Sequence, residues 1–133
     1  MPDFQSAEVK AAFDMFPDRA IEGLLQLRRI IFDVAHNLPE IGRLEETLRW
    51  GQPAYLTPDR KAATTLRLGL HKSGDFALFA HCQSQVIPAF RSWHEAQYRF
   101  DGNRAVLFST VNDIRPEHVS GLIQYALTYH LKS

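Results

Sequence analysis

The 133-residue sequence predicts a single α+β domain in which helices pack over one face of an antiparallel sheet built from hairpins. Three observations carry the prediction. The stretches from Ile21 to Leu38 and from Val119 to His130 place apolar residues three and four apart, the period of an amphipathic helix. The runs Thr64 to His71 and Asp75 to Cys82 alternate in polarity around Lys72-Ser73-Gly74, the period of paired strands. The order helix, helix, strands, helix, strands, helix, with at least two hairpins, suits an antiparallel sheet.

Each element has its own local signal. Ser6 is placed to cap a short helix from Ala7 to about Met15, which Pro17 interrupts. From Asp18 a helix of about five turns lays Ile21, Leu24, Leu27, Ile31, Val34 and Leu38 on a core and ends near Asn37. Its remaining face, with Arg28, His36 and the acidic side chains, reads as solvated. Periodicity fails between Glu40 and Pro58, where Gly51 and Pro53 mark a turn or kink. In the next hairpin a three-residue loop ending in Gly74 pairs His71 with Asp75. That register gathers Leu66, Leu68, Leu70, Phe76, Leu78, Ala80 and Cys82 on one face. Slipping to a two-residue loop splits the apolar set across both faces, which burial disfavours. The opposite face then carries Thr65, Arg67, Gly69 and His71 beside Asp75, Ala77, Phe79 and His81. Ser84 caps a third helix, with Pro88 in its first turn, Ile87, Phe90 and Trp93 or His94 inward, and an end near Gln97. A second hairpin joins Tyr98-Arg99-Phe100 to Arg104–Ser109 through Asp101-Gly102. The last helix opens near Pro116 and carries Val119, Leu122, Ile123, Ala126, Leu127 and His130 on one stripe.

Composition narrows the function classes. Fifteen Lys+Arg balance fifteen Asp+Glu at a pI near 7.0, so no overall field draws the chain to nucleic acid or anionic lipid. The single Cys82 makes no intramolecular disulfide and the sequence has no CxxC pair, which fits a reducing, cytoplasmic setting. Residues Met1 to Gln5 lack a secretory signal's basic flank and apolar core, and no apolar run reaches the length of a membrane span. GxSxG, P-loop, HExxH, EF-hand and GxGxxG patterns are absent.

The segment Glu46-Thr47-Leu48-Arg49-Trp50-Gly51-Gln52-Pro53-Ala54-Tyr55 resembles the signature of the YdhG-like family, catalogued as a domain of unknown function (DUF1801). The likeness continues through Leu66 to Lys72, Phe79 to Cys82, Tyr98 to Phe100 and the final helix, about the last two-thirds of the chain. It implies a curved antiparallel sheet with packed helices. Relatives are small bacterial cytosolic proteins, mostly without assigned activity, some labelled frataxin-like iron chaperones. Where one branch carries a Gly-Lys-Gly-like stretch before the second hairpin, this chain reads Tyr98-Arg99-Phe100-Asp101-Gly102-Asn103.

The candidate ligand-binding residues are Trp50, Tyr55, Thr65, Arg67, Phe79, His81 and Trp93. Trp50 and Tyr55, with Gly51 and Pro53, either line a ligand-binding rim or shape a bend entering the sheet, Trp50 then plugging the core. Glu46 and Arg49 pair across one turn if that stretch is helical. Thr65, Arg67, Phe79 and His81 form a surface suited to a small anion or a partner's strand, unless a helix covers it. Trp93-His94-Glu95 makes a second semi-polar cluster, and His130 reads as a core or interface histidine. Imidazole and thiolate side chains bind zinc or ferrous iron, yet strand alternation turns His81 and Cys82 to opposite faces. His71 and His81 lie roughly 20 Å apart at ~3.4 Å per residue. Cys82 therefore reads as a small buried apolar residue, and no metal ligand, cofactor or catalytic residue is assigned. The expected function is non-catalytic binding of a small molecule or protein partner, with a homodimer as one arrangement and no nucleic-acid or membrane partner. The alternatives are a frataxin-like iron-binding protein and a small-molecule enzyme with His81 or His94 as general base.

Overall fold

The computed structural model describes residues 2–94 and 96–131. Four helices, α1 (Ala7–Asp14), α2 (Asp18–His36), α3 (Val86–His94) and α4 (Pro116–Leu127), accompany six strands among these residues. The strands are β1 (Glu45–Arg49), β2 (Gln52–Leu56), β3 (Leu66–Leu70), β4 (Phe76–Ala80), β5 (Arg99–Asp101) and β6 (Ala105–Phe108). They form one antiparallel sheet in the order β1-β2-β3-β4-β6-β5. The domain is α+β, with its helices over one face of the sheet and its main core between the two layers.

Local chemistry explains the elements. The Ser6 hydroxyl accepts from the Val9 amide at 3.1 Å and opens α1. Along α2, Leu24, Leu27 and Ile31 are fully buried against the sheet. Gly23 in the same helix has no room for a methyl group, since a Cβ there would stand 2.1 Å from the Phe76 ring. β3 and β4 pair Leu66 with Ala80, Leu68 with Leu78 and Leu70 with Phe76, while the His71 amide donates to the Asp75 carbonyl at 2.8 Å. This is the register that apolar alternation predicts.

Several expectations are corrected. The stretch without periodicity contains a further hairpin, in which β1 and β2 pair Arg49 with Gln52 across a two-residue turn, Trp50-Gly51. Glu46 is therefore a strand residue, and it does not pair with Arg49. Its partner is Arg28, expected on the solvated face of α2 and instead fully buried. Arg28 Nε donates to Glu46 Oε2 at 2.6 Å and its Nη2 to Oε1 at 3.0 Å, while its remaining bonds go to the Pro2 and Asp3 carbonyls. The guanidinium lies 4.3 Å from the Phe4 ring centroid and 4.6 Å from that of Phe32. Helical spacing misjudged Arg28 because periodicity treats every arginine as solvent-seeking. A guanidinium enters a core when a carboxylate, carbonyls and ring faces occupy its donors and its flat sides.

Trp50 does not plug the core: its side chain is 87% exposed. Cys82 is exposed because β4 ends at Ala80, before the alternation reaches it. α3 ends at His94, short of Gln97, and leaves Trp93 half exposed. His130 lies beyond the end of α4 and is exposed, its amide donating to the Ala62 carbonyl.

Candidate functional site

The sheet face away from the helices is built in rows. One row runs Ala54, Arg67, Phe79, Ala105 and Asp101 across five strands, and the next runs Gly69, Ala77, Leu107 and Arg99. Ala77, Phe79, Ala105 and Leu107 form a second apolar cluster, separate from the main core. What roofs this cluster is polar. His71, just past the end of β3, reaches over β4 and β6 to place Nε2 2.9 Å from Asp101 Oδ2 on β5. Two side chains on strands that are not neighbours meet because the sheet curls, which makes this face concave. Ala77 and Ala105, on the two strands this contact spans, are both fully buried.

The His71–Asp101 contact fixes protons as well as shape. It holds the Asp101 carboxyl below its ordinary range, so the carboxylate accepts and Nε2 carries the proton. The other ring nitrogen, Nδ1, lies 2.8 Å from Ser73 Oγ and accepts from the Ser73 amide at 3.1 Å. At the same rim Arg99 holds Asp75 with two hydrogen bonds, at 2.9 and 3.1 Å, and draws its pKa down to about 2 with help from the Ser73 hydroxyl.

Arg67 occupies the centre. Phe79, its cross-strand neighbour on β4, and Trp50, from the β1–β2 turn on the other side, each place a ring centroid 5.2 Å from the guanidinium carbon. Its Nη1 donates to Gln52 Oε1 at 2.5 Å. Gln52 reaches that position by lying flat across Gly69, where a Cβ would come within 2.5 Å of the Gln52 amide nitrogen. Among the described residues Arg67 forms no ion pair. Burial, followed by the charge of Arg104, pulls its pKa downward, so the cation is held where it is partly deprived of water and lacks a counter-charge. Next to its neighbours Gln52 and Phe79 opens a shallow pocket of about 250 Å³, walled by those two with Leu70, His71, Lys72, Asp101 and Arg104; Arg67 itself does not line it.

Of the sequence candidates, Trp50, Arg67 and Phe79 come together here. Thr65 and His81 lie past the opposite ends of β3 and β4 from the His71–Asp75 turn, where His81 Nδ1 accepts from the Gln83 amide at 3.0 Å. Tyr55 is fully buried on the helical side, and its hydroxyl donates to Glu46 Oε2 at 2.7 Å. Burial and the Glu46 charge push its phenol far above the ordinary value. Trp93 packs on Tyr125 of α4 at 5.8 Å and does not reach this face. Its neighbour His94 stacks on His118 at 3.9 Å, with its pKa lowered by burial and by that second imidazole. Glu95, the third member of that cluster, lies outside the described residues.

Sequence reasoning missed Gln52, Asp101 and Arg104. No period signals them, because they meet Arg67 and His71 only through sheet curvature. The turn Trp50-Gly51 did carry a signal, since a residue followed by glycine between two extended runs is a hairpin pattern. Among the described residues no three His, Cys, Asp or Glu side chains converge as a metal site requires, and no helix is long and apolar enough to cross a membrane. Comparison of the chain with protein-family models, with curated proteins and with solved structures finds no match.

Proposed function

We propose that this chain is a non-catalytic binding domain that takes a small anion on the concave face of its sheet, at Arg67. The observation that carries this reading is a half-buried guanidinium without a carboxylate partner among the described residues, set beside a second arginine and a pocket of about 250 Å³. A guanidinium deprived of water gains more from an incoming anion than an exposed one does, and its fork matches a carboxylate. The pocket is smaller than most drug-sized sites, which limits the ligand to a compact molecule. Two histidines considered as general bases stand elsewhere: His81 lies beyond the Arg67–Phe79 row, and His94 is on the helical side. His71 lines the pocket, but both of its ring nitrogens are engaged.

Titration of ¹⁵N-labelled protein with sodium acetate, at ionic strength held constant with sodium chloride, tests the proposal. Resonance shifts are expected at the Arg67, Phe79 and Arg104 amides and the Trp50 indole, and are lost in Arg67→Gln. Shifts that survive in Arg67→Gln, or that scatter over the surface, overturn the reading. Saturable turnover of a substrate that disappears in the same variant replaces it with a catalytic one.

A further inference from the structure

A cavity of about 410 Å³ opens at the end of the β5–β6 hairpin away from its turn. Three segments converge on it: the α3–β5 connection, the paired residues Arg99 and Leu107, and the loop that leads from β6 into α4. One wall is braced. Arg99 is held by Asp75 at 2.9 and 3.1 Å, and its Nη2 donates to the Ser109 hydroxyl at 2.8 Å. Asp113 ties the loop to itself, since its Oδ2 accepts from the Ser109 and Thr110 amides at 2.8 and 3.0 Å while the Thr110 side chain accepts from the Asp113 amide. The rim is uncommitted. The side chains of Gln97, Asn112 and Arg115 line the same cavity, are exposed, and form no hydrogen bond or ion pair with any described residue.

The lining narrows the class of ligand. Among the described residues the charges at this end balance, Arg99 and Arg115 against Asp75 and Asp113, so no net charge favours an anion or a cation. What remains is a mixed set of hydrogen-bonding groups. The two carboxamides both donate and accept, the guanidinium only donates, and the carboxylate only accepts. Hydroxyl groups donate and accept, so a row of them satisfies all three kinds of partner, whereas a phosphate offers chiefly acceptors. A flat base finds no platform. Tyr98 is the one aromatic residue in the lining, and its ring packs on Phe90 and Phe108 while its oxygen lies 3.1 Å from His118 Nδ1. Leu107 adds the small apolar surface that the C–H face of a sugar ring needs. The volume falls at the lower end of small-molecule sites and suits one compact molecule.

We infer that this cavity binds a neutral monosaccharide of hexose size, with Gln97, Asn112 and Arg115 contacting its hydroxyls. The cavity shares no lining residue with the pocket near Gln52 and Phe79, so this site goes beyond the anion reading and does not rest on it.

Glucose, galactose and mannose, titrated separately into the ¹⁵N-labelled chain, test the inference, with sodium phosphate at constant ionic strength as the charged comparison. Saturable shifts are expected with at least one hexose at the Gln97 and Asn112 carboxamides and at the Ser109 to Asp113 amides. Affinities among the three sugars are expected to differ by about threefold or more, because each pair differs in the direction of its hydroxyls, and phosphate gives no saturation there. Gln97→Ala and Asn112→Ala each weaken the preferred hexose by about three- to tenfold, the range of one hydrogen bond. Both side chains are exposed and unbonded among the described residues, so unchanged resonances across the main core confirm that the variants are folded. No saturable shift with any of the three sugars, equal affinity for all three, affinities untouched in both variants, or saturation by phosphate at the same resonances overturns the inference.

Discussion

Arg28 and Glu46 carry the largest single-residue consequence in this protein. Both are buried without exposed side-chain surface, and their charges are covered on every side by Tyr55, Gln5 and the carbonyls of Pro2 and Asp3. Removing one partner strands the other in a poorly solvated interior. Arg28→Met is therefore expected to cost roughly 3–5 kcal/mol, a large share of a small domain's total stability, as read from urea unfolding. Arg28→Met/Glu46→Leu is expected to recover part of that loss, because no unpaired charge remains. A double variant no more stable than the single one contradicts this account. Trp50 is the reverse case at the same scale. Its left-handed backbone makes Trp50→Asn stabilising by about 1 kcal/mol, raising the melting temperature by a few degrees. A variant that melts lower removes strain as the explanation for that residue.

Among the elements, α2 and the β1–β2 hairpin decide how the layers meet. Gly23 lets the α2 backbone approach Phe76, whose ring in turn stacks on Phe108 at 5.5 Å. Gly23→Ala favours the isolated helix through propensity, yet its methyl group would overlap the Phe76 ring. The overlap dominates, and a loss of about 1–3 kcal/mol is expected in chemical denaturation. Gly23→Ala/Phe76→Leu, which makes space for the methyl group, is expected to lose less than the sum of the two single changes. The hairpin is tied to the amino-terminal segment by the Gln5 and Glu46 amides, each donating to the other's side chain, at 3.1 and 2.8 Å. Deleting the first five residues removes these bonds together with both carbonyls on Arg28. Faster amide exchange is then expected along β1 and β2, with β4 and β6 less affected.

For the whole molecule, charge and pH meet at the rim of the concave face. Asp75 titrates at about 2 instead of its ordinary 3.8, held down by Arg99, and Asp101 is lowered by His71. A carboxyl whose folded pKa is depressed binds protons more readily when unfolded. Its stabilisation is complete above about pH 4 and is lost as the pH falls toward about 2. The urea midpoint is therefore expected to fall across that interval. In Asp75→Asn it starts lower at neutral pH and falls less steeply. An identical slope in the variant excludes Asp75 as a source of the acid sensitivity. The molecule as a whole carries no net charge. The anion binding proposed above therefore rests on the local grouping of Arg67, Arg104 and Lys72, and is expected to weaken as salt screens that grouping.

What the sequence determined was part of what has a short period, Arg28, Cys82 and the end of α3 being the exceptions. The extent of α2, the Ser6 cap and the pairing of His71 with Asp75 follow from residues within a few positions of one another, because helix and hairpin contacts are local. The outward direction of Arg67 and Phe79 followed from the same register. Only tertiary structure decided that Arg28 is buried, since its acceptors are the Glu46 carboxylate and the Pro2 and Asp3 carbonyls, distant in sequence. It also decided that Tyr55 faces the helices, that Trp50 stands over Arg67, and that His71 closes on Asp101 across two intervening strands. Alternation along a strand says which face a side chain takes. How far that face curls depends on twist summed over the whole sheet, and no local pattern records that sum.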